Sequence, residues 1–184
     1  MKFNLIFESV VRVLWFAIGG AIFIGFFGVV AGAVAGGLLA AFVEIFSPSN
    51  SSVDIVEGAL FGSITALYIS YVPGFFAFAI AGFLACFSEL PTQVFSKTFR
   101  YATRAIIICV IVGGVLGPIN SFIFGRFLQT IFPPARELAT GYIIGVIAGF
   151  IIGTFYGALV GAKREIARQK AHEKAALSVV ESAA

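Results

Sequence analysis

The sequence predicts an all-α, polytopic integral membrane protein: a bundle of four long transmembrane helices packed through small-residue stripes. Three observations lead there. Of the 184 residues, 60% are hydrophobic and only 11% are charged, with a mean hydropathy of +1.05, whereas an average soluble domain carries about 25% charged residues. A single soluble core of this size could not hide so much apolar surface. The apolar residues also fall into four blocks, each longer than the roughly 20 residues a spanning helix needs. Finally, six glycines recur at every fourth position, Gly141, Gly145, Gly149, Gly153, Gly157 and Gly161. Residues four apart share one face of a helix. Lipid supplies no hydrophobic force between helices, and a bare face lets backbones approach and gain van der Waals contact.

The first block, 13–46, follows Lys2 and Arg12 and contains Ala33-Val34-Ala35, which has the form of a signal-peptidase site. A secretory apolar region is only about 7–15 residues long. The block is far longer and no polar region follows the motif, so it is expected to be an uncleaved first span. Its small-residue stripe is Gly28, Gly32, Gly36 and Ala40. Ser47-Pro48-Ser49-Asn50-Ser51-Ser52 then makes a turn-rich loop, within which Asn50-Ser51-Ser52 is a formal glycosylation sequon.

The second span, 55–87, carries the stripe Gly58, Gly62, Ala66 and Ser70 and has Pro73-Gly74 near its middle, read either as an ordinary kink, the plainer reading, or as a break that frees carbonyls. A basic linker from Ser88 to Arg104 leads to the third span, 105–132. That span has the stripe Ala105, Cys109, Gly113, Gly117, Ser121 and Gly125 and the same feature at Gly117-Pro118. After the turn Pro133-Pro134-Ala135-Arg136-Glu137 comes the fourth span, 138–162. Residues 1–162 thus form one transmembrane domain, and 163–184 a basic tail rich in helix-forming Ala, Lys, Arg, Glu and Gln. Splitting the long blocks at both prolines would give about six crossings, but it would set irregular backbone in lipid without polar cover.

Basic residues mark one side. Lys2 and Arg12, then Lys97, Arg100 and Arg104, then Lys163, Arg164, Arg168, Lys170 and Lys174 flank the spans, while the first loop has only Asp54 and Glu57 and the third has Arg126 and Arg136 at its edges. The positive-inside rule then puts both termini in the cytoplasm, most simply across a bacterial cytoplasmic membrane. The net charge of +3 is spread over span ends, so no nucleic-acid partner is expected. The expected partners are the lipid bilayer, a second copy of the chain or other membrane subunits.

The halves also echo each other. Phe46-Ser47-Pro48 matches Phe132-Pro133-Pro134, and Gly28-Val29 matches Gly114-Val115 at the same offset. With a small loop deletion, Gly58, Gly62, Ala66 and Ser70 fall on Gly141, Gly145, Gly149 and Gly153. The pattern is that of a duplicated two-helix hairpin.

Little in the chain suggests chemistry. The single histidine, His172, lies in the tail, and there is no catalytic set, phosphate loop or pair of intramembrane carboxylates. No enzyme, metal or cofactor is expected. Cys86 and Cys109 both read as small residues in helix packing, placed toward the same leaflet. Two functional readings remain. One is a non-enzymatic protein acting through helix packing, as a homo-oligomer or as an accessory or assembly subunit, with the six glycines as contact residues; the plainer reading of the stripes is that they only hold the four helices of one chain together. The other is a small-solute transporter or channel component that uses the broken spans, with Tyr71, Asn120, Arg126 and Glu44 as polar lining. For Glu44 and Arg126 the plainer reading is that both reach toward the interface.

Overall fold

The computed structural model describes residues 2–46, 55–127 and 134–183. They form four helices: α1 (Lys2–Phe46), α2 (Ile55–Ala85), α3 (Pro91–Phe127) and α4 (Pro134–Ala183). Each contains a stretch long and apolar enough to cross a membrane, and no strand occurs among the described residues. The glycosylation sequon and the Ser47-Pro48 and Pro133 parts of the loop echo lie outside the described residues. α4 runs for 50 residues, roughly 75 Å of helix against a hydrocarbon core of about 30 Å. Its last third therefore stands clear of lipid.

Three expectations need correction. The stretch from Ser88 to Arg104 is not a linker, because α3 already begins at Pro91. Proline suits a first helical turn, where its missing N–H has no partner to lose. The turn at 86–90 is correspondingly tight, with the Leu90 N–H donating to Ser88 Oγ at 3.3 Å. Nor are the spans broken: Pro73 and Pro118 both sit inside uninterrupted helices, and four crossings replace the six-crossing variant. An unwound segment would expose backbone N–H and C=O groups to lipid, which costs more than one lost helical hydrogen bond. Gly74 serves a close approach instead, since a Cβ there would stand 3.1 Å from the Cβ of Ile24. Last, the two thiols do not share a level. Cys86 lies in the turn, and its Sγ points to the carbonyls of Gly82 and Ser9 at 3.4 and 3.6 Å. Cys109 lies eighteen residues beyond Pro91, roughly 27 Å along the helix, and both are free.

α1 packs along α2 and α3 along α4, and the two hairpins meet chiefly through α2 and α4. Contacts from Cys86 to Ser9 and from Lys97 to Glu165 gather the start of α1, the α2–α3 turn and the far part of α4 at one end. This end holds most of the basic residues, while Arg126 and Arg136 lie at the other, where α3 ends and α4 begins. The opposite end carries Glu44 and Glu57, both exposed.

The buried core sits toward the basic end, where Phe16, Phe78, Val94, Phe95 and Ile106 are almost fully enclosed. The rings of Phe16 and Phe95 meet edge to face, 5.1 Å between centroids, a geometry worth about 0.5–1.5 kcal/mol beyond burial. Other large apolar side chains, such as Phe26 and Phe61, point outward. In lipid that outward face carries no hydrophobic penalty.

The fold sets a topology test. In sealed vesicles of the Cys86→Ala, Cys109→Ala protein, a membrane-impermeant maleimide reaches Glu44→Cys from one side and Ser178→Cys only from the other. Labelling of both from one side would contradict four crossings.

Candidate functional site

The six glycines of α4 form the face that α3 covers, and all six are buried. A Cβ at Gly149 would stand 2.6 Å from the carbonyl carbon of Cys109 and 2.9 Å from the nitrogen of Val110. At Gly153 it would stand 2.6 Å from the Cα of Ile106, and at Gly161 it would stand 2.8 Å from the Cβ of Tyr101. Real Cβ contacts are not that short, so backbone lies directly on backbone. The glycine face is therefore spent inside the chain and leaves no surface for a second copy.

The first hairpin is joined in the same manner. Gly36 faces Gly58 and Gly32 faces Gly62, where a Cβ at Gly62 would lie 2.9 Å from the Cα of Gly36. In the second hairpin Gly117 faces Gly141 and Gly113 faces Gly145. The contacts match Gly58 with Gly141, as the sequence echo does, but they match Gly32 and Gly36 with Gly113 and Gly117. Gly114, the echo of Gly28, faces the Tyr142 ring instead. The echo runs at an offset of 86 residues and the contacts at 81, and a slip of five residues turns a helix face by about 140°, so the echo at Gly114-Val115 does not mark the contact register.

Between the hairpins an apolar groove of about 590 Å³ opens among α1, α2 and α4. Gly32, Gly36, Gly58 and Gly62 form its floor, with Ile147 on its wall and Glu57 at one end. The stacked rings of Phe27 and Phe150, 6.4 Å between centroids, stand at the opposite end. The expected polar lining is not here. Tyr71, Asn120 and Glu44 are each exposed on a different helix, none of them borders the groove, and α2 scarcely touches α3. The Arg126 side chain lies outside the described residues, and with it any pairing to Glu44.

A polar cluster that the sequence reading missed closes the basic end. Glu165 is only 4% exposed. Its Oε1 lies 3.4 Å from Lys97 Nζ, and its Oε2 lies 3.9 Å from an Arg168 guanidinium nitrogen. One turn on, Gln169 Oε1 accepts from the Ser88 hydroxyl of the α2–α3 turn. Arg164 lies over the Tyr101 ring at 5.8 Å. The signal was present in the spacing: 165 and 169 continue the every-fourth-residue series of the glycines, and 97 and 101 extend the α3 stripe backward. Among the described residues no group of three potential metal ligands exists.

Comparison with models of protein families, with curated proteins and with solved structures gave no match to this chain.

Two stability outcomes follow, both read by unfolding in a denaturing detergent. Gly149→Leu costs about 3 kcal/mol or more through overpacking, while Gly37→Ala, where a Cβ meets nothing nearer than 3.7 Å, gains roughly 0.5–1 kcal/mol. Equal effects would show that the seam is not tight. Lys97→Met, which leaves the buried Glu165 carboxylate with Arg168 alone, costs about 1–3 kcal/mol, whereas Arg104→Met, on an exposed side chain, stays within about 0.5 kcal/mol.

Proposed function

We propose that this chain is a non-enzymatic multi-pass membrane protein that acts through helix packing, as a homo-oligomer or as an accessory or assembly subunit of a larger membrane complex. One observation carries this reading. Beyond Glu165 and Gln169, α4 continues as a helical arm whose described side chains from 170 onward are all exposed. On it Leu177 and Val180 are 63% and 66% exposed. They lie three apart on one face, in a segment too charged to sit in lipid. Apolar residues held out into water on a formed helix fit a surface that another chain covers.

The excess of basic residues at one end, against only Arg126 and Arg136 at the other, supports a cytoplasmic location for both termini in a bacterial cytoplasmic membrane. The shared contact mode of the two hairpins supports their origin as a duplicated two-helix unit. A second reading, a small-solute transporter or channel component, draws support from the groove between the hairpins, whose size falls within the range of about 300–1,000 Å³ common to ligand sites.

The test is the native mass of the gently extracted protein, with co-purifying chains identified by mass spectrometry. A homo-oligomer or a stoichiometric partner is expected, and Leu177→Ser with Val180→Ser should release it while the helical content of the spans stays unchanged. A monomer that is indifferent to these substitutions would overturn the packing reading. Solute flux in reconstituted vesicles, abolished by the groove-filling Ala35→Phe, would favour the second.

A further inference from the structure

At the basic end the two hairpins show different chemistry to their surroundings. On the face of α3 turned away from Phe95, the exposed residues run Gln93, Lys97, Arg100 and Arg104, and they become apolar only from Ile107. The first hairpin has no such change. Val11, Leu14 and Ile18 of α1 are exposed, as are Ile80, Phe83 and Phe87 on and just after α2. No charged residue lies between Arg12 and Glu44 or between Glu57 and Ala85.

Contacts between the helices fix the relative heights. Phe27 of α1 stacks on Phe150, and Gly149 beside it lies against Cys109 of α3, so Phe27 and Cys109 share one level. Glu44 and Arg126 each lie seventeen residues beyond that level, and the two helices meet charge together at that end. Toward the basic end they do not. Arg104 is five residues from Cys109, whereas Arg12 is fifteen from Phe27. The uncharged stretch is therefore roughly 33 Å long on α3 and roughly 48 Å on α1, against a hydrocarbon core of about 30 Å. The two surfaces adjoin at a cleft of about 640 Å³ between α1 and α3, walled by Trp15, Phe23, Phe95 and Phe99, where Trp15 stays half exposed.

We propose that the hydrocarbon boundary on the basic side is stepped across the molecule. Acyl chains cover the first hairpin down to Leu14 and Phe83, while the same height of α3, from Gln93 to Arg104, stands among headgroups and water. A level boundary fails on one side or the other. Drawn at the height of Arg104, it leaves leucine, isoleucine and phenylalanine side chains of the first hairpin in water. Drawn at the height of Arg12, it takes Lys97, Arg100 and Arg104 into hydrocarbon. The occupant is lipid because the exposed side chains of this face include no charge or hydroxyl. The face also runs without interruption into the apolar surface above it, through Ile22 and Phe26 on α1 and Phe76 and Val72 on α2. A stretch longer than the hydrocarbon is met by inclination of its helices and by thickening of the bilayer around it. α3 is already matched and asks for neither, so the hydrocarbon is thicker on one flank of the protein than on the other. A tryptophan at the cleft fits the point where the boundary passes from one level to the next. This surface is separate from the helical arm and does not depend on the packing reading.

The step is read as a difference in depth at one height of the bundle. In the Cys86→Ala, Cys109→Ala protein, single nitroxide labels are attached through Leu14→Cys, Phe83→Cys or Gln93→Cys, and the full-length chain is reconstituted at low density in phosphatidylcholine vesicles. Collision with oxygen, which concentrates in hydrocarbon, is compared with collision with a nickel chelate, which stays in water. The oxygen-to-chelate ratio should be roughly tenfold higher at Leu14→Cys and Phe83→Cys than at Gln93→Cys, because hydrocarbon excludes a polar complex. Equal ratios at the three sites would overturn the proposal, by showing a level boundary. Low collision with both reagents at Leu14→Cys and Phe83→Cys would also overturn it, by showing protein where lipid is assigned.

Discussion

Everything else in this molecule depends on how closely α3 and α4 lie. Along six turns of α4 the side chain facing α3 is a hydrogen atom, and the carbonyls and Cα atoms of Cys109, Ile106 and Ala102 fill the space that a Cβ would take. In water, apolar side chains could hold two helices together at a larger separation. In lipid they cannot, because a leucine in hydrocarbon gains nothing by moving from lipid to protein. What remains is dispersion between atoms in contact, which is small per pair and weakens steeply with distance. A long run of glycine maximises the number of pairs, and the second hairpin is joined by that sum. The first hairpin uses the same solution over a shorter run.

The same face then changes chemistry without changing its period. After Gly161 the next positions that face α3 and the α2–α3 turn are Glu165 and Gln169, and opposite them stand Lys97 and Ser88. Within hydrocarbon a stranded carboxylate would be costly. At the end of the bundle, near water and other cations, it can be paired, and it supplies what glycine cannot, a directional contact that fixes how far one helix slides along the other. Glycine faces are smooth and set no register by themselves. The ion pair and the Ser88–Gln169 hydrogen bond pin the seam at its basic end.

How much of this was legible in the sequence follows from which features are periodic. The four helices, their antiparallel pairing and the small-residue faces are written as repeats of four within apolar blocks, so they could be read directly. The start of α3 could not, because Lys97, Arg100 and Arg104 lower the hydropathy of a segment that is nonetheless helical from Pro91. Of the two readings that proline allowed, the break at Pro73 and Pro118 does not hold: freed carbonyls find solvent in water, but lipid offers them none. The use of the glycine face was legible only up to a point. Spacing shows that Gly149 wants a close neighbour, and it does not show whether that neighbour is α3 or another chain. The polar candidates failed for a related reason. Tyr71, Asn120 and Glu44 were grouped by residue type, while contact between helices is decided by face, and each of the three faces outward on a different helix.

Because the smooth faces are used up within each hairpin, the surfaces left to meet anything outside the chain other than bulk lipid are the joints between hairpins and the arm of α4. The seams are backbone on backbone and cannot accept an extra atom without separating. The joints are different. α2 meets α4 beside an open groove, and α1 meets α3 only around a ring cluster. A lipid, solute or partner helix seated in a joint thus exchanges side-chain contacts for its own and leaves the glycine contacts intact. Packed hairpins of this kind move most cheaply as units, by small shear at their shared surface, since each seam has a single close-packed arrangement and the joints have several. The position of one hairpin against the other is accordingly the property of this fold that an occupant of either cleft is best placed to set.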